Sequence, residues 1–226
     1  MQVMIVGGNQ MKYFAPRYYD YAHKLSNGFI RNNNTVLRFF DRDVSRLSNI
    51  FRSRKMGVGN ANKKFLRQIA EFQPELVVFH HSDVISPETL CRIKESHPDI
   101  KLAQVGVDPL FMPGNVQRLN TKSPHVDATF MTTAGESLKK ISGGRPAYYI
   151  PNIVDSGMET GRAFDAECDI DLIYVCGSFD GEGGEPREAA LNLIHERLAA
   201  QYIIDVLFRG EMSHPYIWPT EKVVSS

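Results

Sequence analysis

Short apolar runs alternate with longer amphipathic stretches along this chain, and that alternation leaves little choice but a parallel sheet covered by helices. The runs fall at residues 3–6, 35–40, 76–79, 101–105, 128–131 and 148–150. They are rich in Val, Ile and Phe, too short for buried helices, and mostly bounded by turn residues. Between them, residues 62–72 set Phe65, Leu66, Ile69 and Phe72 on one helical face. Pro87 with Glu88 opens a helix running to Ser96, and residues 136–141 make a shorter one. Phe39, Phe40, Tyr148 and Tyr149 read as strand residues packed in the core. The pattern predicts an α/β fold with a Rossmann-like, doubly wound parallel sheet.

The periodicity lapses from residue 155 to residue 169, where Gly157, Gly161 and several charges predict an exposed linker. It then restarts. Residues 170–176 read as a strand, 185–201 as a helix opened by Pro186, and 202–208 as a second strand, together one β-α-β unit. The expected organisation is an N-terminal Rossmann-like domain over 1–154, a linker over 155–169, and the start of a second Rossmann-like domain over 170–226. That last stretch is shorter than the roughly 100 residues of an independent α/β domain.

Across 226 residues, 26 Lys and Arg balance 26 Asp and Glu. No net field draws the chain to nucleic acid, so an anionic ligand must be met by local groups. Cys91, Cys168 and Cys176 are odd in number and form no C-x-x-C pair, which argues against a disulfide framework or a structural zinc site. The N-terminus lacks the layout of a signal peptide, and no segment reaches the ~20 apolar residues of a spanning helix. A cytoplasmic location without a transmembrane segment is expected, and peripheral membrane association is compatible with it. Asp169 and Asp171 sit at the start of a strand, where they read as linker or capping residues, so no divalent metal is called for.

Three stretches carry a resemblance to a known family: Val105-Gly-Val-Asp-Pro109, Val126-Asp-Ala-Thr-Phe-Met-Thr-Thr133 and Tyr149-Ile-Pro-Asn-Ile-Val-Asp155, followed by Ile173-Tyr-Val-Cys-Gly-Ser178. In this order they resemble GT-B glycosyltransferases, especially the spore-maturation glycosyltransferase-like group. In that family an acceptor-side domain closes with an Ile-Pro-Asn segment and a donor-side domain opens with a strand ending in Gly-Ser. The resemblance implies a transferase that moves a sugar from a nucleoside diphosphate donor to a glycan, lipid or protein hydroxyl in a cleft between two domains. It implies work in cell-envelope or polysaccharide synthesis, with no cofactor beyond the nucleotide-sugar substrate. In that family the donor-side domain continues into a region carrying the acidic and basic residues that grip nucleotide and sugar, and this sequence reaches Ser226 before such a region, which leaves two expectations: a fragment of a longer transferase, or a short form without the activity.

Ligands of open α/β sheets sit beyond the carboxyl ends of the strands, which directs attention to five loops. Gly7, Gly8 and Asn9 follow the first strand, where glycines let backbone N–H groups approach a ligand; the alternative is a tight turn. Met11 and Lys12 break any G-x-G-x-x-G fingerprint, so NAD binding lacks support despite Asp41 after the second strand. His80, His81 and Ser82 follow the third strand. Because successive strand side chains face opposite sides, the two imidazoles are not expected to share a metal, but one facing the cleft suits a base toward an acceptor hydroxyl. Asp108, before Pro109, is a second candidate base or a turn starter. Thr133 lines the cleft or, with Glu136, forms a capping box for the following helix. Gly177 and Ser178, with Arg187 in the next helix and Arg209 after the last strand, are candidates for the donor phosphates; a solvated loop is the alternative.

A different class of function fits the same pattern: a non-catalytic Rossmann-like binding or regulatory protein that has lost donor handling. Neither a nucleophile triad nor an aromatic-rich basic surface is present in the sequence.

Overall fold

The computed structural model describes residues 1–8, 21–110, 113–159, 167, 171–176, 184–201 and 204–208. The chain divides into two compact units, Met1–Glu159 and Thr160–Ser226.

In the first unit the described strands are β1 (Gln2–Gly7), β2 (Thr35–Phe39), β3 (Leu76–His80), β4 (Lys101–Gly106), β5 (Ala128–Met131) and β6 (Ala147–Tyr149). All pair in parallel in the order β2-β1-β3-β4-β5-β6. The helices are α1 (Tyr21–Arg31), α2 (Asp41–Leu47), α3 (Val58–Phe72), α4 (Pro87–Ser96), α5 (Pro113–Lys122) and α6 (Glu136–Ser142). The chain steps one way from β1 to β2, then back over β1 to β3 and onward. Right-handed crossovers therefore put α1 on one face and the later helices on the other.

Side-chain alternation follows this arrangement. Val3 and Ile5 of β1 pack with Val78 and Val105 against Ala22, Leu25 and Phe29 of α1. Met4 and Val6 point the other way, into a cluster with Phe65 and Ile69 of α3 and Leu90 and Ile93 of α4. Phe65 is fully buried, tilted against Phe39 at 5.0 Å and edge-on to Phe79 at 6.1 Å. Burying a side chain of that size contributes about 2–3 kcal/mol. Farther along the sheet, Leu119, Met131 and Leu138 form a smaller cluster beneath α5 and α6.

Helix ends obey local chemistry. Pro87 starts α4 as expected, and the Ser86 hydroxyl accepts the Thr89 N–H at 3.3 Å. Gln73 closes α3 in a left-handed conformation, φ 48°, while its N–H reaches Ile69 O. The capping box expected of Thr133 and Glu136 does not form: Gly135 stands at the N-cap with φ 74°, no side chain caps the helix, and Glu136 pairs with Lys139 instead. Tyr148 and Tyr149 are also not core residues. Their strand is the sheet edge, and both are about half exposed.

The segment from Asp155 begins against α1 rather than free in solvent. Asp155 is buried, with its carboxylate on Asn27, Arg31 and the Gly157 N–H, and Glu159 pairs with Lys24. In the second unit, β7 (Leu172–Cys176) and β8 (Ile204–Phe208) pair in parallel in a sheet of their own, with α7 (Gly184–Leu198) between them in sequence.

Candidate functional site at the carboxyl ends of β3 and β4

The sheet reverses direction at β1, so the tips of β1 and β3 flank the point where helices leave for opposite faces. Gly7 lies opposite His80 in the ladder, with φ 101°, and Gly8 follows with φ 74°. A side chain on Gly7 would place its Cβ 1.8 Å from the His80 carbonyl oxygen. Glycine is what lets the two strand tips close up.

His80 turns toward α1. It is buried, stacks on the Tyr21 ring at 4.9 Å and has Nδ1 3.4 Å from Val105 O. Burial, with the neighbouring His81 adding to it, pulls its pKa down to about 3, so this imidazole is neutral and structural in setting. His81 breaks the strand alternation by adopting φ 47°, and the two rings therefore meet edge to face at 4.3 Å instead of parting to opposite sides. Among the described residues no group of three His, Cys, Asp or Glu side chains is placed to hold a metal ion.

His81 looks out toward the β4 loop. Its Nδ1 lies 3.6 Å from Asp108 Oδ2, which also accepts a hydrogen bond from Arg118 of α5 at 3.0 Å. Arg118 reaches Asn115 as well. Burial holds His81 below its ordinary value, while the Asp108 carboxylate pulls it up and Arg118 pulls it down. The result is a partly exposed imidazole, neutral at pH 7, beside a carboxylate able to stabilise its protonated form.

Behind this rim is a chamber of about 420 Å³ between the β3 and β4 loops and α5, walled by Val58, Ile85, Leu110, Leu119 and Met131 among others. Helix α5 presents Asn115, Gln117, Arg118, Leu119, Thr121 and Lys122 to it, and of these Leu119 alone is apolar. Lys122 is buried and donates to Ser82 O at 2.6 Å. Burial lowers its pKa, with Asp41 and Asp83 acting against that. Ser82 is buried too, and its hydroxyl has no partner. Asp83 is held by Arg42 at 2.6 Å and Arg54 at 3.1 Å.

Two residues brace the chamber wall. Asn62 accepts the Ser86 N–H and the Thr89 hydroxyl, and donates to Val84 O. Asp41, fully buried at the start of α2, accepts the Val84 N–H at 3.1 Å. Burial raises its pKa to about 6. Its Oδ2 is thus held by the loop after β3, while Oδ1 is buried without a hydrogen-bond partner among the described residues.

The structure brings His80, His81, Ser82 and Asp108 together, with Gly7 and Gly8 beside them at the tip of β1. Thr133 is half-buried after β5, where its neighbour Thr132 donates to Val107 O. Asn9, Gly177, Ser178 and Arg209 lie outside the described residues, and Arg187 falls in the first turn of α7 without a described side chain. Arg118, Lys122, Asn62 and Gln104 were not singled out from the sequence. The polar spacing of 115, 118 and 122 around Leu119 was the signal available, but it resembles any solvated helix face until the sheet is placed beneath it.

The fold is α/β and Rossmann-like, with its polar cluster where open parallel sheets hold ligands. No protein family matches the chain, and no curated protein matches it. Solved structures do. Sucrose-phosphate synthase from Thermosynechococcus elongatus aligns with a TM-score of 0.55 at 11% identity, over 96% of this chain and 72% of that one. UDP-GlcNAc 2-epimerase from Neisseria meningitidis, bound to UDP-GlcNAc, gives 0.48 at 12% identity, over 94% and 67%. UDP-N-acetylglucosamine 2-epimerase from Rickettsia bellii gives 0.46 at 11% identity, over 91% and 61%. At such identity the likeness is one of fold, and the fold is of the GT-B type. No described helix is long and apolar enough to cross a membrane.

Proposed function

We propose that this chain belongs to a glycosyltransferase that moves a sugar from a nucleoside diphosphate donor to a hydroxyl acceptor, with the first unit serving the acceptor. The observation that carries the reading is the His81–Asp108 pair at the carboxyl ends of β3 and β4. A neutral imidazole backed by a carboxylate takes a proton from a hydroxyl as it attacks, and proton transfer of this kind contributes about 10²–10⁴-fold. The motifs that resemble the spore-maturation group support a nucleotide-sugar donor, and the fold shared with sucrose-phosphate synthase is in keeping with sugar chemistry.

In this reading His81 is the base and Asp108 holds and stabilises it; His80, buried against Tyr21, sets the position of the loop. Gly7, Gly8, Asn9, Ser82 and Thr133 border the acceptor. The donor diphosphate is assigned to Gly177, Ser178 and the N-terminus of α7, because the dipole and first-turn N–H groups of a helix favour anions, with Arg187 and Arg209 adding charge. No metal is required.

The test is calorimetric titration of the chain with UDP, GDP, ADP and dTDP, followed by assay of diphosphate release from the matching nucleotide sugars. Binding of at least one nucleotide, weakened by Arg187→Ala, is expected. Failure of all four to bind would favour the binding or regulatory protein instead.

A further inference from the structure

The chamber under α5 is too specialised to be a packing defect. A volume of about 420 Å³ is within the ~300–1,000 Å³ of small-molecule sites, whereas gaps inside a packed core are mostly smaller than a water molecule. Among its walls Val58, Ile85, Leu110, Leu119 and Met131 are apolar and suit a ring or short hydrocarbon body. Three polar side chains in the lining are more than nine-tenths buried: Gln104, which donates to Leu119 O and Thr129 Oγ1; Lys122, whose ammonium has only Ser82 O as a described hydrogen-bond partner; and Ser82, whose hydroxyl has none among the described residues.

Charge completes the specification. The cations around the chamber are Arg42, Arg54, Arg118 and Lys122; the carboxylates are Asp41, Asp83 and Asp108. Asp83 is shared by two arginines, and Asp108 is taken by Arg118. The four cations exceed the three carboxylates by one, and among the described residues Lys122 is the one of the four without a carboxylate at ion-pair distance, Asp41 and Asp83 acting on it from farther away. A buried ammonium is costly unless a charge or several hydrogen bonds meet it.

We propose that this chamber binds a small, ring-bearing monoanion, its anionic group docked at Lys122 and its apolar body against Leu119 and Met131. The chamber is also lined by His81 and Asp108, so a hydroxyl on the same molecule would lie beside the base. In that respect the inference rests on the reading of His81 and Asp108 as the acceptor side, and it names the class of acceptor: a hydroxylated aryl or alicyclic acid.

The experiment compares 4-hydroxyphenylacetate with its neutral isostere 4-hydroxyphenylacetamide by calorimetry at pH 7.5 and low salt, with no nucleotide present. The acid is expected to bind wild-type chain about tenfold or more tightly than the amide, the size of one charge-assisted hydrogen bond. Lys122→Met should remove the preference, bringing the acid down to the level of the amide; Lys122→Arg should keep part of the preference. Leu119→Trp, filling the chamber, should abolish both.

Equal binding of acid and amide by wild type, binding of neither, or a preference that survives Lys122→Met overturns the proposal. Should Lys122→Met not fold, the wild-type comparison and Leu119→Trp still decide it. A chain that binds the acid but no nucleoside diphosphate keeps this chamber and loses the transferase, while the reverse result removes the chamber alone.

Discussion

Gly7 and His80 sit opposite each other at the tips of β1 and β3, so close that a Cβ on Gly7 would stand 1.8 Å from the His80 carbonyl oxygen. The glycine also has φ 101°, a conformation that other residues adopt only under strain. Relief would require moving a central strand of the sheet. Gly7→Ala is therefore expected to cost more than about 2 kcal/mol, because the steric and conformational terms add. Urea denaturation should show a lower midpoint, and an unchanged midpoint would mean that the two strand tips are not packed as described.

Asp41 gives the fold a pH dependence opposite to that of most carboxylates. Its folded value is raised to about 6 by burial, from an ordinary 3.8. Between those values the folded chain keeps a proton that the unfolded chain has lost, so stability from this group falls as pH rises from about 4 to about 6, then levels off. Asp41→Asn removes the titration while an amide oxygen can still accept the Val84 N–H. The variant should gain on wild type by roughly 2–3 kcal/mol between pH 4 and pH 7. Paired denaturant titrations at those two pH values measure it; a difference that does not change with pH would contradict the assignment.

The main sheet was readable in the sequence because its strands are buried on both faces, and such strands announce themselves as apolar runs. Phe65 and Ile69 likewise declare α3 by spacing. Helix α1 carries the same kind of spacing in Ala22, Leu25 and Phe29, although it was not singled out from the sequence, whereas α2 and α5 were not readable that way. Helix α5 buries Lys122 beside Leu119 and sets Asn115 and Arg118 at the rim of the chamber, so its polar residues do not mark a purely solvated face, and α2 buries Asp41. The tyrosines of β6 misled in the other direction, since β-propensity cannot distinguish an edge strand from a central one. For the site, His81 and Asp108 could be placed at strand ends, but their approach depends on His81 leaving the strand in a left-handed conformation, which the alternation rule does not anticipate.

Asp155 ties the end of the first unit to α1 through Asn27, Arg31 and its own turn at Gly157. The Asn27 hydrogen bond, then the Arg31 and Gly157 bonds, hold its carboxyl down at about 2. A depressed carboxylate contributes stability that is present above its unfolded value near 3.8 and lost as pH falls through 2. Asp155→Asn should lower the Tm by a few degrees at pH 7. The gap from wild type should close between pH 4 and pH 2. Thermal melts across that range test it, and a gap that stays constant would show that the charge is not what anchors this segment.

The pairing of His81 with Asp108 makes the acid limb of catalysis a sharp reporter of the proposed base. Burial already holds His81 below its ordinary value, and Asp108 is the leading influence pulling it back up. Removing that charge with Asp108→Asn should move the low-pH limb of kcat/KM to still lower pH, because the imidazolium loses its counter-charge. The rate on the plateau should also fall, since the protonated imidazole formed during attack is stabilised less. His81→Gln should remove the limb altogether and reduce kcat by about 10²–10⁴-fold. His80→Gln, by contrast, should lower the Tm and leave the position of the limb in place, because His80 is neutral throughout this pH range. Profiles of the three variants distinguish these roles: a limb that shifts with His80 and not with Asp108 would assign the proton transfer to the wrong imidazole.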